Sequence, residues 1–121
     1  MNLTWKEYPD APDPGQALGA EVDVATGKAT FVEIGGFPIL LVRAQNGPRA
    51  FVNACPHQFL PLNMRSDQVI SASGKGLICS NHHAVFSIET GLGISGEGIG
   101  TCLAEIPISV ANGQIFIAKE A

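Results

Sequence analysis

An all-β fold is what this sequence predicts, and three observations carry that prediction. Short runs of β-favouring residues recur between glycine-containing turns. No segment sustains a helical period, and 14 glycines stand in a chain of only 121 residues. Many turns and few helical stretches describe short strands packed in sheets. The length suits one domain, large enough to bury a core and too short for a second catalytic module.

Taken in order, Pro9, Pro12, Pro14 and Gly15 punctuate the start, so residues up to about Gly19 read as an extended arm. Glu21 to Val24, Ala29 to Ile34 and Phe37 to Arg43 read as strands. Ala25-Thr26-Gly27-Lys28 and Gly35-Gly36 connect them. Gln45-Asn46-Gly47-Pro48 turns the chain into Arg49 to Ala54, a strand that leads into Cys55. Gly76 to Ser80 and Ala84 to Ile88 are the next two strands. Residues 58 to 78 form an insertion, with Ser66 to Lys75 as its exposed part. Glu105 to Val110 and Gln114 to Ala118 make a closing hairpin about Asn112-Gly113, a strong short-range turn signal. No repeat or low-complexity segment interrupts this pattern.

Composition narrows the function classes. Hydrophobic residues make up 45% of the chain and charged ones 15%, the profile of a folded soluble protein. A formal net charge of −4 argues against nucleic acid, which selects faces rich in Lys and Arg. The same charge suits a partner with a basic docking patch, or simply serves solubility. No basic stretch followed by an apolar run opens the sequence, so a secretory signal is not expected. No window approaches the length of a membrane helix. Three cysteines without a signal then favour thiols or metal ligands in a reducing cytoplasm over disulfides.

The chemistry concentrates in two short segments. Cys55-Pro56-His57 is followed, after residues 58 to 78, by Cys79-Ser80-Asn81-His82. Two thiolates and two imidazoles can hold one tetrahedral zinc. They can equally hold a two-iron, two-sulfide cluster with Cys₂ on one iron and His₂ on the other. Each pair lies at a strand end, where a sheet steadies the backbone and a loop can bend toward metal.

The flanking residues favour the second arrangement. Cys55-Pro56-His57-Gln58-Phe59-Leu60-Pro61-Leu62 resembles the first ligand loop of Rieske-type iron–sulfur proteins. Cys79-Ser80-Asn81-His82-His83-Ala84-Val85-Phe86, with Thr90-Gly91, resembles their second loop, following strand and turn. The resemblance spans roughly Phe37 to Ala118. It implies a Rieske-like antiparallel β-sandwich or barrel over residues 1–121, with a small cluster-binding subdomain of two loops at approximately 54–90. It also implies that Cys55 and Cys79 bind one iron of a [2Fe-2S] cluster and His57 and His82 the other.

High-potential members of that family carry a disulfide between the loops and hydroxyls directed at the cluster. The matching positions here are Leu60 and Asn81, and Ala84 and Phe86. Fewer hydrogen bonds to the sulfurs leave added negative charge less stabilised, which implies a low-potential type. Phe59 and His83 stand where the family usually has glycine, and a third loop reads Gly96-Glu97-Gly98-Ile99-Gly100 where a proline is usual. An altered tip and partner surface is the expectation.

Other candidates have plain readings. His83 reads as exposed, Cys102 as a buried thiol beside Leu103 and Ile106, and Trp5 and Tyr8 as pins for the arm. Phe59, Leu60 and Pro61 are either a docking tip or apolar packing beneath the site. Only three histidines are present, and the ligand pairs take two. One is too few for a catalytic iron held by two histidines and a carboxylate. No Gly-x-Gly-x-x-Gly follows a strand, so flavin or nicotinamide chemistry is not expected.

The resemblance therefore implies a small one-electron carrier of ferredoxin type, not a catalyst by itself. It would pass electrons from a reductase to an oxygenase or related redox enzyme, through the exposed edges of His57 and His82. The alternatives are a small Rieske subunit of a larger oxidoreductase complex, or a zinc-stabilised binding module. Redox titration checks the low-potential expectation: the midpoint should lie near the lower end of about −150 to +300 mV and shift with pH. A midpoint well above zero contradicts the low-potential expectation, and no slope from neutral to strongly alkaline pH counts against water-accessible histidine ligands.

Overall fold

A computed structural model describes residues 4–45, 47–56, 60–64, 66–79, 84–96 and 99–118. Among them, ten short strands fall into three antiparallel sheets, with two single-turn 3₁₀ segments at Trp5–Glu7 and Glu21–Asp23. The first sheet orders β1 (Ala17–Ala20), β10 (Gln114–Ile117) and β9 (Ile108–Ala111). A second places β2 (Thr30–Ile34), β3 (Phe37–Ala44), β4 (Gly47–Val52) and β8 (Glu105–Ile106) side by side. The third consists of β5 (Gly76–Ile78), β6 (Val85–Ser87) and β7 (Gly93–Ser95). None of the described helices is long and apolar enough to cross a membrane.

The run Phe37-Pro38-Ile39-Leu40-Leu41-Val42 is apolar at successive positions, so both faces of β3 must be covered. That is what the packing shows. Phe37, Ile39 and Leu41 on one face of β3, with Ala50 and Val52 of β4, join Trp5, Leu18, Ile106, Ile115 and Ile117 in a first core. Leu40, Val42 and Ala44 on the other face, with Phe51 of β4, join Leu62, Val69, Leu77, Phe86, Ile88 and Leu103 in a second. The second core is the floor of the third sheet. Fully burying a Phe or Leu side chain is worth about 1.5–3 kcal/mol, so this shared wall ties both cores into one stability.

Turn chemistry sets the strand order. Gly35 and Gly36 both take positive φ, at 57° and 89°, and close the β2–β3 hairpin in two residues. Asn112 and Gly113 do the same for β9–β10, at 53° and 77°. These left-handed pairs match the strand twist, which is why Gly-Gly and Asn-Gly occupy them.

Several element boundaries differ from those predicted. Glu21 to Val24 is a 3₁₀ turn, and the strand lies earlier, at Ala17–Ala20. The arm accordingly ends sooner: Gly15 N–H already donates to Ile117 C=O at 2.7 Å. A glycine-containing Ala-Leu-Gly-Ala segment, bulged between Ala17 and Gly19, gives too weak an alternation to read. Arg43 then holds the following turn, donating to Val24 C=O at 2.8 Å and Glu21 C=O at 3.0 Å. Pro107 divides the predicted 105–110 strand, so β8 pairs with β4 while β9 joins β10. Strand β7 went unpredicted, and within the exposed 66–75 stretch Val69 is buried.

Gly91 is the tightest backbone approach. It has φ of +79°, and a Cβ there would sit 2.9 Å from Phe51 Cε1 and 3.1 Å from Leu103 C=O. Gly27 has a similar φ of +80° with open space around it. Both Gly27→Ala and Gly91→Ala carry the left-handed penalty of about 1–2 kcal/mol. Gly91→Ala must additionally displace a buried ring, so chemical denaturation should show it clearly the more destabilised of the two.

Candidate metal centre

Two loops of matched closure carry the cysteines. Strand β4 ends at Val52, and Cys55 follows three residues later, with its N–H donating to Leu60 C=O at 2.8 Å. Strand β5 ends at Ile78, and the N–H of the adjacent Cys79 donates to Ala84 C=O at 3.0 Å. Each cysteine amide thus reaches a carbonyl five residues ahead and cinches a loop at its base. In sequence, His57 lies within the first loop and His82 within the second. Both histidines fall outside the described residues, as do Phe59, His83 and the Glu97-Gly98 pair of the third loop.

Cys55 and Cys79 are 0% and 1% exposed and belong to the same apolar cluster. Their surroundings are Leu40, Phe51, Leu62, Leu77, Ala84 and Phe86, all fully buried. Ala84 and Phe86, which stand where high-potential relatives supply hydroxyls, are therefore apolar wall. Sheet β5–β6–β7 adds rigidity: Ile78 pairs with Val85 across the second loop's base, and Val85 pairs with Ser95 on the far side. The third loop, from Gly96, therefore starts beside the base of the Cys79 loop.

One polar side chain sits under the first loop. Asn53 is 5% exposed, the buried polar residue among those described. Its Oδ1 accepts Leu62 N–H at 2.8 Å, and its Nδ2 donates to Asn63 Oδ1 at 3.0 Å. Sequence reading passed over it. An Asn two residues before Cys55, where a strand gives way to a loop, was the available signal.

The remaining candidates find definite places. Trp5 is buried in the first core and Tyr8 packs against that core, so both pin the arm as expected. Burial pushes the Tyr8 phenol above its ordinary pKa, with Cys102 and Cys55 adding to the effect. The arm therefore reaches the Cys55 loop, and Tyr8, Asn53, Ala54 and Pro61 line a common cavity of about 420 Å³. Cys102 is only half-buried, a correction to the buried thiol expected, because its segment bridges Leu92 at a sheet edge. None of the three cysteines is in a disulfide among the described residues.

A profile of the Rieske [2Fe-2S] domain matches residues 15–104. The chain belongs to the Rieske family. It is 31% identical over 101 residues to the ferredoxin component of the alkene monooxygenase system of Xanthobacter autotrophicus, covering 81% of this chain and 75% of that one. In fold it is similar to the ferredoxin of carbazole 1,9a-dioxygenase from Nocardioides aromaticivorans IC177. The TM-score there is 0.71 at 18% identity, over 89% of this chain and 100% of that one. A complex of reduced oxygenase and oxidized ferredoxin in carbazole 1,9a-dioxygenase also matches, with TM-score 0.70 at 20% identity, over 88% of this chain and 94% of that one.

Rieske domains carry a [2Fe-2S] cluster, and the two buried cysteines fit one. Two thiols on separate cinched loops, sharing one apolar pocket, suit a single inner iron shielded from water. In cluster-free protein, burial should protect these two thiols. A bulky maleimide should label Cys102 ahead of Cys55 and Cys79, as read by peptide mass mapping. Equal labelling of all three would show that the loops do not hold their closed form without metal.

Proposed function

We propose that this chain is a soluble one-electron carrier in which Cys55 and Cys79 hold one iron of the cluster and His57 and His82 the other. When bound, the cluster accepts and returns a single electron. The carrying observation is the pair of loops, each closed by its cysteine amide and resting on one apolar core, within a Rieske chain. Sulfur ligands face the buried side, and the imidazole positions fall within the loop segments between 55 and 60 and between 79 and 84.

The protein's own part is to hold and to insulate. Buried Leu, Phe and Ala side chains around Cys55 and Cys79 keep water and hydroxyl donors from the sulfurs, which favours the oxidised state and a low potential. The partners are redox proteins: a reductase as donor and an oxygenase or related enzyme as acceptor. The ferredoxin component of an alkene monooxygenase system, with 31% identity, supports an oxygenase as acceptor. We read residues 1–121 as one Rieske domain, with its cluster-binding subdomain at approximately 54–90 and the sheet running on to Ser95. A cytoplasmic location agrees with thiol ligands that need reducing surroundings.

A second reading, a subunit held in a permanent oxidoreductase complex, is favoured by one feature. Leu92, Ile94 and Ile99 are exposed large apolar residues near the third loop.

Purified protein should be red-brown, with iron and acid-labile sulfide in equal amounts, and the dithionite-reduced form should give the electron paramagnetic resonance spectrum of mixed His/Cys ligation. His82→Ala should abolish that spectrum. A colourless protein holding zinc and no sulfide would overturn the proposal.

A further inference from the structure

The hydrogen bonds of Asn53 continue beyond the first loop. Asn63, which accepts from Asn53, donates through its own Nδ2 to Asp67 Oδ1 at 3.3 Å. Asp67 C=O accepts Val69 N–H at 3.0 Å, and Val69 C=O accepts Ile78 N–H at 2.7 Å. Ile78 is the residue before Cys79. A continuous run of hydrogen bonds therefore leads from the base of the Cys55 loop to the base of the Cys79 loop, across the inserted segment. At the first loop Asn53 is anchored independently, since its backbone N–H donates to Pro38 C=O of β3 at 3.0 Å.

The structure assigns Asn53, with Asn63 and Asp67, a positioning role: a brace that fixes the first ligand loop against the second and so sets the spacing of the two cysteines. This rests on the cluster reading above and deepens it. Three physical points support the assignment. A buried polar side chain costs free energy unless its hydrogen bonds are made, and Asn53 makes one on each side of its amide. No short backbone ladder joins β4 to β5, which lie in different sheets, so the loops need another tie. And a bridged metal cluster demands that its sulfur ligands arrive at a set separation, for which a hydrogen-bonded side chain is stiffer than an apolar contact.

The brace should weaken from its buried end outward. Asn53 is buried, Asn63 half-buried and Asp67 exposed. Arg43 supplies the control, because it lies at the opposite end of β3 and its three hydrogen bonds hold only the Glu21–Val24 turn.

The test uses the loaded protein, with cluster release into an iron chelator followed by visible absorbance far below the melting temperature. Asn53→Ala should release the cluster about tenfold faster than wild type, as loss of a buried hydrogen-bonded amide implies. Asn63→Ala should give a smaller acceleration and Asp67→Ala the smallest. Asn53→Ala with Asn63→Ala should release no faster than Asn53→Ala alone, since both cut the same path. The midpoint potential should shift in Asn53→Ala and not in Arg43→Ala, although Arg43→Ala melts lower too. Should Asn53→Ala fail to fold, Asn63→Ala still carries the test, because it cuts the brace while leaving the Asn53–Leu62 bond. Wild-type release and potential in Asn53→Ala or Asn63→Ala, or equal effects in Arg43→Ala, overturn the brace. A wild-type protein without iron and sulfide overturns the functional reading instead.

Discussion

The double burial of the β3–β4 ribbon is the constraint on which everything else depends. Phe37, Ile39 and Leu41 of β3 fill one core, and Leu40, Val42 and Ala44 fill another. A one-residue slip in the β3–β4 register would exchange the two sets, and neither core would accept the other's shapes. The register is therefore held from both sides. Val52, paired with Ile39, is the last residue of that ribbon before the Cys55 loop, so the loop leaves from a strand held on both faces.

From that wall the site is built by short-range means. Each cysteine closes its own loop through its backbone amide, and the same residue's side chain turns into the apolar pocket. Backbone and side chain thus have separate tasks. Both thiols share one apolar cluster with Ala84 and Phe86, two described positions that offer no hydroxyl to stabilise added electron density. The charge of the whole chain, at −4, acts in the same direction.

Much of this was legible in the residues. The apolar run of β3 and the Gly35-Gly36 and Asn112-Gly113 turns each have a local physical cause, and each was read correctly. Errors fell where local signals compete with distant partners. Ala17–Ala20 is a strand because Gln114, Ile115 and Phe116 lie beside it, a pairing across almost the whole chain that no four-residue window contains. Glu105 to Val110 read as one strand, and at Pro107 the chain passes from one sheet to another. Cys102 shares its run with buried Leu103 and Ile106, yet its bridge to Leu92 holds it at an edge.

Sequence by itself determined the chemistry and the class: which atoms are available to metal, and that strands would present them. Side-chain identity and turn propensity are local properties, so a linear reading reaches them. Only the tertiary structure decided how far apart the two loops stand, which residues seal them from water, and that Asn53 joins them. Those are consequences of contacts between segments distant in the chain, and no spacing along it encodes them.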